Sequence, residues 1–104
     1  MAGQTLIPGG YIPTTPTTPE VKEAADTVKP AVEEQLGRKL DVYRAMFYRS
    51  QVVAGINYLI KVYIGAEDNY LHVKVFVPLP CTQEAPSLVW VHMDEKWDDP
   101  LIDC

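Results

Sequence analysis

Apolar residues along 19–37 fall at one helical spacing. Val21, Ala25, Val28, Val32 and Leu36 recur at intervals of four, three, four and four, which draws a single stripe down one face. Glu23, Asp26, Lys29 and Glu33 fall off that stripe. Thr17 or Thr18 supplies a cap, Pro19 suits the first turn, Glu20 favours the positive end of the dipole, and Gly37 suits the exit. Pro30 removes one backbone donor inside this stretch, so the spacing predicts one bent helix. From residue 40 the period changes to two. Residues 40–53 alternate imperfectly, with a bulge expected near Met46-Phe47. Residues 56–64 place Tyr58, Ile60, Val62 and Ile64 on one face, and residues 70–77 place Leu71, Val73, Val75 and Val77 on one face. Residues 65–69 form a turn, Pro78-Leu79-Pro80 ends a strand, 87–93 is a last strand, and 94–104 is irregular. Hairpin-length connections make the sheet antiparallel, and the helical stripe must cover one of its faces. The predicted architecture is α+β, a four- or five-stranded antiparallel sheet wrapped around one kinked helix.

The first 18 residues stand apart. Residues 6–19 carry Pro8, Pro13, Pro16 and Pro19, with Thr14, Thr15, Thr17 and Thr18 between them, which predicts an extended trunk over 1–18. A solvated tail is the ordinary reading of such a tract. Leu6 and Ile7 beside the glycine pair Gly9-Gly10 do not fit it, because a plain tail has no use for two bulky aliphatics. At 104 residues and 47% hydrophobic, the chain reads as one folded domain over 1–104. A net charge of −5 argues against nucleic acid and against an anionic membrane surface. Cys81 and Cys104 are the only cysteines, which excludes a disulfide framework; free thiols and a reducing, cytoplasmic setting are expected. The start lacks the basic and apolar regions of a secretory signal.

Reactive chemistry is sparse. His72 and His92 with Cys81 suggest a Cys/His nucleophilic pair, but no elbow or orienting motif surrounds them. Metal ligation at tight spacing is absent, so no metal and no cofactor are expected. His72 falls on the face opposite Val73 and reads as a solvent-side strand residue, and Asp98-Asp99 as solvated tail. The expectation is a protein that is not an enzyme. The unusual segment is Gln51-Val52-Val53-Ala54-Gly55. As a hairpin loop it carries two β-branched aliphatics where Asn, Asp, Pro and Ser are normal, and an apolar tip of that kind suggests a binding surface. As part of one continuous buried strand over 50–60, it makes Gly55 a bulge. The residues alone leave both readings open.

The same five residues match the first-hairpin signature of the cystatins, inhibitors of papain-like cysteine proteases. Ile7-Pro8-Gly9-Gly10, Thr18-Pro19-Glu20 and Val28-Lys29-Pro30 resemble the N-terminal half of a stefin, the disulfide-free type 1 cystatin. Asn57-Tyr58, Ile60-Lys61-Val62, His72-Val73-Lys74-Val75-Phe76 and Leu79-Pro80 extend the likeness through residue 80. The resemblance implies a cystatin fold and a reversible, competitive, non-covalent inhibitor that wedges into the protease cleft. Its implied contacts are the trunk at Ile7, Pro8, Gly9 and Gly10, the first hairpin at Gln51, Val52, Val53, Ala54 and Gly55, and the second at Leu79 and Pro80. Physical chemistry agrees with that role: Val52 and Val53 offer roughly 1.5–3 kcal/mol each on full burial, and their side chains are already stiff. The partners implied are cathepsin-type proteases, with the inhibitor a monomer or a domain-swapped dimer. Trp90, Trp97 and an end without the usual terminal aromatic motivate a second reading, a non-inhibitory interaction module on the same fold.

Overall fold

The computed structural model describes residues 10–65 and 68–103. Thr18 opens helix α1 (Pro19–Thr27), its Oγ1 accepting from the Val21 amide at 3.3 Å. The helical stretch divides at Val28, and α2 (Lys29–Leu36) follows with Pro30 in its first turn. The kink expected at Pro30 therefore appears as a break between two short helices rather than as one bent one. The Val28 carbonyl still accepts from Val32, so the division costs the ladder little. Gly37 ends α2 at φ 76°, with its amide and that of Arg38 bonded back to the Glu33 carbonyl. The predicted stripe is the buried one: Val21, Ala25, Val28 and Val32 join Ile60, Val62, Leu71, Val73 and Val75 in one cluster.

Five antiparallel strands form one sheet in sequence order: β1 (Thr15–Pro16), β2 (Arg44–Val53), β3 (Gly55–Tyr63), β4 (Tyr70–Val77) and β5 (Ser87–Glu95). The predicted bulge is present as a register shift between Ala45 and Phe47. Two expectations are corrected. The segment 11–17 is not a free solvated tail but runs along the edge of β2. Ile12 donates to the Ser50 carbonyl and Thr17 to the Met46 carbonyl, each at 3.0 Å, and Tyr11 bridges to Gln51. An edge strand needs donors only on its inner side, so Pro13 and Pro16 are tolerated. The second correction concerns the outer sheet face, which points away from the helices. His72 is only 3% exposed there, not solvent-side. Residues 97–103 cross that face as a strap. Leu101 is buried, Leu59 beneath the strap's side of the sheet is fully buried, and Lys61 donates to the carbonyls of Trp97 and Asp99. Trp97 sets its ring edge-on against Phe47, with centroids 5.2 Å apart, and tilted against Tyr70 at 5.7 Å.

Candidate functional site

The turn between β2 and β3 is as tight as a hairpin allows. Val53 pairs with Gly55, and Ala54 alone lies between them. Of the two readings of residues 50–60, the structure has the hairpin. Gly55 sits at φ +125°, where an L side chain is strained. A Cβ there would lie 2.6 Å from the Val77 carbonyl oxygen and 2.9 Å from the Phe76 ring. The glycine therefore lets the first hairpin press against the end of β4. That leaves Val52 56% and Val53 41% exposed, although both are aliphatic. Gln51 pairs with Asn57 across the hairpin, and its Oε1 accepts from Asn57 Nδ2 at 2.8 Å. That bond ties the base of the loop below the two valines.

Ile56 pairs with Val77, so the chain leaving β4 lies beside the first hairpin. It continues into Pro78, Leu79 and a short 3-10 turn at Pro80–Thr82. Thr82 closes that turn, donating from both its amide and its hydroxyl to the Leu79 carbonyl. Leu79 is left 44% exposed. On the other side, the bridge from Tyr11 to Gln51 delivers exposed Gly10 to the same end of the sheet. Gly10, the residues Gln51, Val52, Val53, Ala54 and Gly55, and the pair Leu79 and Pro80 thus share one edge. Ile7, Pro8 and Gly9 lie outside the described residues. Positions 10–18, 50–57 and 76–83 contain no Asp, Glu, Lys or Arg. The edge is apolar and uncharged on a protein of net charge −5.

The structure does not bring His72, His92 and Cys81 together. His72 pairs with His92 in mid-sheet, whereas exposed Cys81 lies beyond the end of β4. Burial, reinforced by the Lys61 charge, holds His72 down at about 4 and hence neutral at pH 7. Its Nδ1 lies 3.7 Å from Glu95 Oε1, and its Nε2 is buried with no hydrogen-bond partner among the described residues. Burial also pushes the Lys61 ammonium down and the Glu95 carboxyl up. This buried polar layer fastens the strap.

Sequence reasoning missed the parts that fasten the edge. Arg49 donates from Nε to the Ile12 carbonyl at 2.9 Å and from Nη1 to the Leu101 carbonyl at 2.8 Å. Asp103 accepts from Tyr11 and from Lys74. The only sequence signal was parity: Arg49 stands two positions before Gln51, on the same face of β2.

Comparison with known proteins finds relatives along nearly the whole chain. The cystatin domain family matches residues 9–92. The chain is 41% identical over 101 residues to "Leukocyte cysteine proteinase inhibitor 1" of Sus scrofa, covering 97% of both chains. It is 43% identical over 96 residues to "Cystatin-A" of Homo sapiens, covering 92% of this chain and 97% of the other. It is 47% identical over 93 residues to "Stefin-C" of Bos taurus, covering 89% and 91%.

Proposed function

The chain belongs to the cystatin family and is of its stefin type, and from that premise we propose that it inhibits papain-like cysteine proteases. Inhibition is reversible and competitive, by insertion of the apolar edge into the active-site cleft. The first hairpin lies over the catalytic centre, the trunk fills one side of the cleft and the second hairpin the other. The observation that carries the reading is the exposure of Val52 and Val53 on a hairpin braced from both sides. Such residues lose little rotamer freedom on docking, and their desolvation favours the complex. An uncharged edge also avoids burying an unpaired charge. Three linked contacts on one edge act together, so loss of one mainly raises the dissociation rate. The protein acts as a monomer in a reducing, cytoplasmic setting, in keeping with the exposed thiol of Cys81.

A papain titration tests this directly. Stoichiometric protein abolishes hydrolysis of a small peptide substrate, and dilution restores it. Full protease activity at micromolar inhibitor overturns the proposal, and failure of activity to return on dilution overturns reversibility.

A further inference from the structure

The trunk is held poorly by its own ladder. Between residues 11 and 17 the prolines at 13 and 16 carry no donor, and β1 is two residues long. Its root is instead fastened by the opposite end of the chain. The Arg49 guanidinium joins the Ile12 carbonyl to the Leu101 carbonyl and lies over the Tyr11 ring, 5.6 Å from its centroid. Tyr11 then donates its hydroxyl to Asp103 Oδ2 at 2.9 Å, and Lys74 Nζ donates to the same oxygen at 2.8 Å. The contacts close a circuit from trunk to Arg49, to strap, and back to trunk. Leu101 is buried, so the strap carrying Asp103 is itself anchored.

We propose that Arg49 and Asp103 are positioning residues for protease binding: they clamp the trunk root at Tyr11 and Ile12 to the C-terminal strap, so that Gly10 is held beside Gln51. This rests on the inhibitor reading. Neither residue lies in the apolar edge itself. Each acts through the trunk by reducing the conformational freedom that binding must remove. The planar fork of Arg49 reaches two carbonyls at once, which a single lysine ammonium does not reproduce. The Lys74 hydrogen bond, then that from Tyr11, holds the Asp103 carboxyl below the usual carboxylate range, so the clamp is charge-assisted.

The test compares Arg49→Lys, Arg49→Ala and Asp103→Ala in the full chain and in a chain lacking residues 1–9. The expected result in the full chain is faster dissociation from papain, about threefold to tenfold, with the association rate nearly unchanged. In the shortened chain the same substitutions leave dissociation unchanged, because no trunk remains to be aimed. Hydrogen exchange at the Ile12 amide, measured without protease, is expected to accelerate in each variant. Equal effects in both backgrounds, or no effect in the full chain, overturn the proposal. A urea midpoint within error of the parent for Arg49→Lys separates the result from misfolding. Should the parent protein not inhibit papain at all, the inhibitor reading fails. Exchange at Ile12 then decides the clamp by itself: unchanged exchange overturns it, and faster exchange supports the trunk–strap link.

Discussion

Replacing Gly55 with alanine adds one methyl group at the junction of the two hairpins. The Cβ would stand 2.6 Å from the Val77 carbonyl oxygen, against 3.4 Å for ordinary contact, so the strands must part by about 0.8 Å there. The obstacle is backbone, not the end of a flexible side chain, and it lies one residue before the Pro78-Leu79-Pro80 segment. Alanine must also adopt φ +125°, a conformation that costs of order 1–3 kcal/mol. With the steric shift, Gly55→Ala is expected to destabilise the fold by about 2–4 kcal/mol, a large share of a small domain's stability. The same shift moves Leu79 relative to Val53 and breaks the common edge. Urea unfolding reads the first effect as a lower midpoint with an unchanged slope. Steady-state inhibition of papain reads the second, where a loss of about 1.4 kcal/mol or more raises the inhibition constant at least about tenfold. An alanine variant with the parent midpoint and the parent inhibition constant would refute the claim that the two hairpins are coupled through this glycine.

Other consequences are independent of that junction. Val52→Ala with Val53→Ala is expected to weaken inhibition about 30- to 150-fold, since each removes roughly 1–1.5 kcal/mol of apolar contact while leaving an exposed site in the free protein. An unaltered inhibition constant in this double variant, with the urea midpoint also unaltered, removes the first hairpin from the mechanism. His72 is held at about 4 in the fold against 6.5 unfolded, so the unfolded chain takes up the proton first as pH falls. Its contribution is fully present above pH 6.5 and is lost towards pH 4, by about 2 kcal/mol at pH 5. The raised Glu95 carboxyl opposes part of that loss. His72→Gln is therefore expected to narrow the gap between urea midpoints at pH 7 and pH 5, and parallel pH dependence in variant and parent refutes the assignment. Leu101→Ala leaves a cavity under the strap and is expected to cost about 2–4 kcal/mol by the same assay. A cost below about 0.5 kcal/mol means the strap does not anchor the outer face.

Periodicity carried the core. The 3.6-residue spacing from Val21 to Leu36 and the alternation along 56–64 and 70–77 say which atoms must leave water, and that requirement holds whatever the neighbours are. β4 begins and ends where the alternation does, and the bulge falls where the alternation slips. The apolar tip Val52-Val53 was legible as an anomaly because hairpin tips are usually polar. The division at Val28 was half-legible: Pro30 states that a donor is missing, not how the backbone accommodates it.

What only the tertiary structure decided lies in contacts between distant segments. Gly55 is required by a carbonyl 22 residues later in the chain, and no local pattern announces that approach. The extended backbone of the proline-rich segment follows from its composition, but the side from which β2 receives it does not. Strand parity decides which face His72 takes, but the strap over that face decides that it is buried. The strap over that face is irregular, and irregular backbone follows no period, so the bonds of Arg49, Lys61 and Asp103 that hold it are long-range by nature. The chain's own alternation determined what is buried; tertiary structure alone brought residues 11–12 and 101–103 together at Arg49 and Lys74.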